Sequence, residues 1–198
     1  MTARSGDNLA TGTRADFDPD AELAAAVAAG DAASFEQLVK KYERPVLSTI
    51  YRYVGDRVAA EDVAQEVFLK VWSRINTFKR RSTFSTWLYR IVANECLNFR
   101  DRRARRRAEP LSDSLPDGRA DLHKRFERET TSRLVREAVN ALPGNQRLAL
   151  ILSALEKRPY REVAEIMGVS LSSVESLIFR AKQNLKKKLL PLRECGEV

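Results

Sequence analysis

Residues 160–188, YREVAEIMGVSLSSVESLIFRAKQNLKKK, predict two helices joined by a glycine turn. Apolar residues recur at helical spacing over 160–167 and again over 171–188, on either side of a three-residue break. Gly168 permits the positive φ that a sharp turn often needs, and Ser170 is placed to cap the second helix. Two helices connected in this way form a helix-turn-helix, in which the second helix enters the major groove of duplex DNA.

The side chains of this unit divide into a core set and a DNA-facing set. We expect Ala164 to lie where the helices approach closely, with Val169, Val174 and Ile178 in their shared core. The residues available to the major groove are Ser172, Ser173, Glu175, Ser176, Arg180 and Lys182. The alternative to a DNA-binding unit is an ordinary helical bundle, in which the basic residues at 186–188 are only a solvated face. For Glu175 the alternative is a capping box with Ser172 in a helix that begins late.

A second signal lies at residues 78–107, where five aromatic and ten basic residues alternate with only two acidic ones. Positive charge attracts phosphates, and aromatic faces offer stacking sites for unpaired bases. Binding to intact duplex needs the charge but not the rings, so this mixture predicts a surface for opened, single-stranded nucleic acid. For Phe84 and Trp87 the alternative is a place in the core, because large aromatic side chains usually pack.

Composition narrows the remaining classes of function. The formal net charge of +8 favours an anionic partner. Two cysteines and one histidine form neither a disulfide framework nor a zinc site, so we expect no metal or cofactor and a buried Cys96. The alanine-rich stretch at 21–29 contains Glu22 and is too short to span a bilayer, and no secretory signal opens the chain. These features predict a cytoplasmic protein without membrane insertion.

Along its length the chain reads as all-α, with two small helical domains joined by a flexible acidic linker. A polar tail at 1–17 precedes a first domain at 18–107, and a linker at 108–126 precedes a second domain at 127–192. Asp18 and Asp31 are expected to cap the first two helices. The third helix, at 57–75, has a predicted apolar face that includes Val58 and Trp72. The fourth runs from residue 84 to about 106.

Three stretches give the chain a family resemblance: AEDVAQEVFLKVW at 60–72, STFSTWLYRIVAN at 82–94, and the leucine-proline pair at 142–143 followed by Gln146, Arg147 and the helix-turn-helix. In this order, around an acidic linker, they resemble the extracytoplasmic-function sigma factors, the smallest class of bacterial transcription initiation subunits. The resemblance covers residues 21–190 and implies a sigma region 2 bundle followed by a sigma region 4 helix-turn-helix.

The resemblance implies a role for each surface. Asp62, Gln65 and Glu66 would dock on the β′ coiled coil of core RNA polymerase, and the second domain would meet the β flap and read the minus-35 element. Family members are commonly controlled by an anti-sigma factor. Residues implied in melting and holding the minus-10 element are Phe78, Lys79, Arg80, Arg81, Ser82, Trp87, Tyr89, Arg90, Asn94, Arg102 and Arg103.

Two residues depart from the family pattern, which often has a basic residue at the position of Glu175 and arginine at that of Leu177. Fewer charges on the recognition helix imply weaker general attraction to phosphates. A stand-alone helix-turn-helix regulator is the alternative function, but it leaves the aromatic and basic stretch unexplained. The third possibility, an enzyme acting on nucleic acid, lacks a phosphate-binding glycine loop and a histidine-based nucleophile system in this sequence.

Overall fold

The structure is a computed structural model that describes residues 18–108 and 126–194, with side chains described for 18–105 and 133–190. The expected tail at 1–17 and the expected linker, apart from its two end residues, lie outside the described residues. All regular structure within the described ranges is helical, which confirms the all-α prediction. We call α1–α4 the N-terminal bundle and α5–α8 the C-terminal bundle.

The N-terminal bundle contains α1 (Pro19–Ala28), α2 (Ala32–Val54), α3 (Arg57–Arg74) and α4 (Phe84–Ala108). A single 3₁₀ turn, Ile75–Thr77, follows α3. The C-terminal bundle contains α5 (Phe126–Asn140), α6 (Gly144–Leu150), α7 (Tyr160–Met167) and α8 (Leu171–Glu194), with a π-helical turn at Ile151–Leu155. The bounds of the helices agree with the predicted bounds within a few residues. α7 ends and α8 begins on either side of the glycine turn, as the sequence indicated.

Short polar side chains set where the helices begin. Asp31 and Asp56 accept backbone hydrogen bonds at the starts of α2 and α3, from Ala33 and Ala59. Asp18 serves two helices, because one carboxylate oxygen accepts from the Asp20 amide in α1 and the other from the Phe84 amide at the start of α4. It thereby ties the beginning of the chain to the helix that carries the predicted melting surface.

The two bundles pack against each other and share one apolar core. Ile50, Val67 and Val92 of the N-terminal bundle belong to the same buried cluster as Leu148 and Val163 of the C-terminal bundle. The most extensive contact across the boundary is between α4 and α7. The sequence predicted two domains but did not predict that they would lie against each other in this way.

Three residues assigned to the core by their spacing are exposed instead. Val58 is 68% exposed and Trp72 44% exposed on α3, although the ring of Trp72 packs edge-on against Phe35. Val169 is exposed beyond the turn, where its backbone amide completes the end of α7 by donating to Ala164. Helical spacing shows which residues share one face of a helix. It does not show which part of that face a neighbouring helix will cover, because this depends on tertiary packing.

Replacing Asp18 with alanine should lower the free energy of unfolding about twice as much as replacing Asp56. One N-terminal cap contributes about 1 kcal/mol, and Asp18 accepts at two helix starts whereas Asp56 accepts at one. Urea unfolding followed by circular dichroism measures both variants. Equal losses would show that the contact from Asp18 to α4 contributes nothing.

Candidate nucleic-acid interface

Three aromatic rings form the base of the predicted melting surface. The ring centroids of Phe78, Phe84 and Trp87 lie 5.7–5.8 Å apart in tilted and edge-on arrangements. Phe84 is fully buried, whereas Phe78 and Trp87 are half-buried at the edge of the core. The cluster therefore fixes the loop at 76–83 on the end of α4 and leaves part of two rings accessible.

The loop on this base presents basic side chains to solvent. Lys79 and Arg81 are exposed, and Ser82 is half-buried. Arg80 has a positive φ of 54° and reaches back to α1, where it donates to the Ala21 carbonyl at 3.2 Å and pairs with Glu22 at 3.0 Å. One of the three predicted phosphate contacts thus holds the shape of the loop, while two remain available to a ligand.

The predicted residues further along α4 lie at three different places. Arg90 and Asn94 are exposed, and Asn94 presents an amide that can both donate and accept. Arg102 is engaged with Glu66 of α3 at 3.1 Å, which joins a predicted DNA contact to a predicted polymerase contact. Arg103 lies at the mouth of a crevice between the two bundles.

Tyr89, also predicted at the melting surface, is covered by the C-terminal bundle and only 2% exposed. The guanidinium carbon of Arg158 lies 3.6 Å from the centroid of the Tyr89 ring. Arg158 also donates to the Ser85 hydroxyl at 3.1 Å and pairs with Glu162 of α7. The Thr86 hydroxyl donates to the same glutamate at 3.3 Å. The first turns of α4 are therefore closed off by the segment that leads into the helix-turn-helix.

The third helix presents a continuous exposed stripe. Asp62 and Gln65 are exposed and Glu66 is half-buried, as expected for side chains that the core does not need. The same stripe continues through Leu69, which is 70% exposed, to Trp72. Leu69 was not predicted from the sequence as part of this surface, although the spacing of positions 62, 65, 69 and 72 alternates between three and four residues. That spacing marks one face of a helix.

The helix-turn-helix has the predicted geometry. Gly168 has a φ of 66°, and the Ser170 hydroxyl accepts from the Ser173 amide at 3.2 Å. Because α8 begins at Leu171, the alternative in which Ser172 caps a later helix is wrong. Val174 and Ile178 are buried beneath the helix. The predicted duplex contacts are all exposed: Ser172, Ser173, Glu175, Ser176, Arg180 and Lys182.

The arginine contacts at the boundary between the bundles were not predicted from the sequence, which indicated phosphate binding for Arg100. Arg52 pairs with Glu156 at 2.6 Å, and Arg100 donates to the Leu142 carbonyl at 2.7 Å. Arg147, matched only as part of a family motif, is buried against the ring of Tyr53. No periodicity in the sequence could have indicated these contacts, because each joins residues that are distant along the chain.

Among the side chains that the structure describes, at 18–105 and 133–190, no three of His, Cys, Asp or Glu come together as metal ligands. Burial raises the pKa of Cys96 to about 12, so its thiol stays protonated and unreactive at neutral pH. None of the helices in the part of the chain that the structure describes is both long and apolar enough to cross a bilayer.

Two family models match the chain in the order of its two bundles. Residues 38–106 match the model of Sigma-70 region 2, and residues 132–185 match the model of Sigma-70 region 4. The first match contains the α3 stripe and the melting surface, and the second contains the helix-turn-helix.

Curated relatives share these features over most of their length. The RNA polymerase sigma-H factor of Pseudomonas aeruginosa is 36% identical over 188 residues, covering 87% of this chain and 95% of the relative. The ECF RNA polymerase sigma-E factor of Escherichia coli K12 is 33% identical over 187 residues, with the same coverage of both chains.

Solved structures agree with the fold. CnrH, solved in complex with the cytosolic domain of CnrY, is 28% identical with a TM-score of 0.64, covering 87% of this chain and 97% of that one. The sigma factor RpoE of Bartonella quintana, solved with the anti-sigma factor NepR, has the same fold at 23% identity, with a TM-score of 0.62 and coverage of 78% and 96%. The chain therefore belongs to the sigma-70 family as an extracytoplasmic-function sigma factor, a non-enzymatic subunit that gives RNA polymerase its promoter specificity in transcription initiation.

Proposed function

We propose that three separate surfaces of this sigma factor carry its steps in initiation: the α3 stripe binds core polymerase, the loop and α4 hold the melted minus-10 strand, and α8 reads the minus-35 duplex. The observation that supports this division best is the joint exposure of a basic loop beside Asn94 and of a polar recognition helix in one chain. A duplex-binding regulator needs only the second of these surfaces.

The α3 stripe suits a helical partner. Asp62 and Gln65 offer polar contacts at one end, and Leu69 and Trp72 offer apolar surface at the other. Alternating steps of three and four residues are the spacing with which helices pack side by side. This arrangement fits the β′ coiled coil of core polymerase, with the leucine and tryptophan supplying buried area and the polar residues supplying specificity.

Melted DNA would be held by base capture beside the loop. Removing a base from the stack costs a few kcal/mol, which contacts to the flipped base must return. The amide of Asn94 can bond both donors and acceptors on a base edge, and Lys79 and Arg81 can hold the adjacent phosphates. The accessible edges of Phe78 and Trp87 provide apolar surface for an unstacked base.

At the other end of the chain, α8 would read the minus-35 element. Arg180 and Lys182 provide charge for phosphates or guanine edges, and the serines at 172, 173 and 176 can bond to several bases. Glu175 can accept from a cytosine amino group, and it repels phosphates. The exposed ring of Phe179 adds nothing to phosphate binding and is better suited to a protein contact such as the β flap.

The proposal requires the bundles to separate during initiation. Tyr89 can reach DNA only when Arg158 leaves its ring, because the tyrosine is buried in the closed arrangement. The loop, Asn94 and α8 are exposed without this movement. Core polymerase binding would therefore have to supply free energy for opening, through contacts that exist only when the bundles are apart.

Control by an anti-sigma factor belongs to the same proposal. The CnrH structure is a complex with the cytosolic domain of another protein, and the RpoE structure contains an anti-sigma factor. In this chain the exposed Leu69 and Trp72 offer an apolar surface that such an inhibitor could cover in competition with polymerase. The protein would act in the bacterial cytoplasm, where polymerase and promoter DNA are found.

Combining Asp62→Asn with Gln65→Ala should weaken binding to core polymerase at least tenfold, equivalent to about 1.4 kcal/mol. Both side chains lie on the α3 stripe and contribute little to the core. Titration of labelled sigma factor with core polymerase measures the effect. Glu36→Gln changes the net charge equally on α2 and should bind normally. Full affinity in the double variant would remove the stripe from the polymerase interface.

Replacing Asn94 with alanine should weaken holoenzyme binding about tenfold on a promoter whose minus-10 region is unpaired, since it removes bonds to a captured base. Binding to core polymerase should not change. Asn98→Ala, one turn further along α4, is the control, because its amide faces Glu95 at 3.5 Å. If Asn94→Ala weakened binding to fully duplex promoter by the same factor, its role would not be base capture.

A further inference from the structure

A crevice of about 290 Å³ lies where the two bundles meet. The end of α2 contributes Tyr53, and α4 contributes Arg100 and Arg103. The C-terminal bundle contributes Asn140 from the end of α5 and Arg147 from α6. The crevice therefore exists only while the bundles are packed together.

Its described lining carries positive charge that no carboxylate of the described residues neutralises. None of the described residues that line the crevice is acidic. Arg100 donates to the Leu142 carbonyl, and Arg147 donates to the Arg52 carbonyl and to the Asn140 amide oxygen, which are all neutral acceptors. Arg103 has no hydrogen bond or ion pair with any other described residue. Three guanidinium groups thus converge on one space without an anionic partner among the described residues.

Two buried polar atoms at this crevice, the Tyr53 hydroxyl oxygen and Arg147 Nε, have no hydrogen-bond partner of good geometry in the described part of the chain, although the Arg100 guanidinium lies close enough to the Tyr53 hydroxyl to lower its pKa. Tyr53 is only 1% exposed and Arg147 only 6%. Buried polar groups are almost always paired, so two orphaned atoms beside a polar cavity call for a ligand.

The protonation of these groups makes them donors. Burial raises the pKa of Tyr53 to about 12, which keeps its hydroxyl protonated at neutral pH. The pKa of Arg147 is lowered to about 10, chiefly by burial and to a smaller extent by the charges of Arg100 and Arg103. Arg147 therefore remains cationic at neutral pH, and a bound anion would raise its pKa by favouring the charged form.

We propose that this crevice binds a phosphate-type oxyanion, held by Arg100, Arg103 and Arg147 and by the hydroxyl of Tyr53. Guanidinium groups form paired hydrogen bonds with phosphate oxygens, and several of them around one site suit a ligand with more than one negative charge. The volume is many times that of one water molecule, so a second phosphoryl group fits beside the first.

Such an anion would stabilise the closed arrangement, because its contacts come from both bundles. A ligand that binds only one of two states shifts the equilibrium toward that state as its concentration rises. Free phosphate or a small phosphorylated metabolite would therefore favour the form in which α7 covers Ser85 and Tyr89. This inference stands without the proposed promoter contacts, since it concerns the free chain.

The test uses calorimetry on the full-length free chain, with inorganic phosphate and pyrophosphate as probes and sodium chloride at matched ionic strength as the reference. Saturable heat is expected for at least one probe, and none for chloride. Arg103→Gln should weaken that binding at least tenfold. Arg105→Gln, two residues along the same helix with the same change in charge, should not, because Arg105 does not line the crevice.

Hydrogen exchange provides a second readout that depends on the position of the bundles. The amides of α7 should exchange more slowly in the bound form of the wild-type chain and of Arg105→Gln, but not in Arg103→Gln. Arg103 is exposed and without described partners, so its replacement should leave the fold intact. Heat no greater than that of chloride, or equal weakening in the two variants, would overturn the proposal.

Discussion

Arg158 rests on the face of Tyr89, with 3.6 Å between its guanidinium carbon and the ring centroid, and this contact stabilises the packing of the two bundles. A desolvated cation–π contact contributes up to about 2 kcal/mol. The same arginine pairs with Glu162 and donates to Ser85, so that one side chain joins α7 to the start of α4. Removing it would leave Glu162 poorly paired at a half-buried position, which is costlier than losing the contact alone.

The boundary between the bundles relies on arginine more than an ordinary core does. Arg52, Arg100 and Arg147 each cross it to reach a carboxylate or a backbone carbonyl. Polar contacts of this kind can be exchanged for water or for a partner when the bundles part, whereas exposed apolar surface cannot be compensated in that way. A boundary held by such polar contacts is suited to both a closed and an open arrangement of the bundles. Opening still costs free energy, because it exposes the apolar side chains of the shared core.

The helices themselves were largely predictable, because their boundaries depend on local chemistry. Asp31, Gly168 and the contact of Asp18 with α1 act within a few residues of their own position, and the sequence indicated all three. The second contact of Asp18, with the Phe84 amide, joins residues 66 apart and was not predicted. The exposure of Val58 and Trp72 was not predictable, since it depends on where α2 and α3 meet. The arginine contacts were hidden for a stronger reason: Arg52 and Glu156, for example, lie 104 residues apart along the chain. The predicted site residues are mostly exposed as expected. Tyr89 is buried instead, because the C-terminal bundle, which is distant along the chain, covers it.

If Tyr89 belongs to the melting surface, as we propose, that surface is complete only after the bundles separate. In a direct test, the two bundles are linked reversibly through cysteines introduced by Ser85→Cys and Glu162→Cys in a chain that also carries Cys195→Ser. The linker is a bismaleimide that contains a reducible disulfide. Promoter opening by the reconstituted holoenzyme is then followed before and after reduction of the linker. We expect the linked chain to fail to open the promoter, and reduction to restore opening to the level of the unlinked variant. Equal promoter opening by the linked and unlinked chains would contradict this expectation.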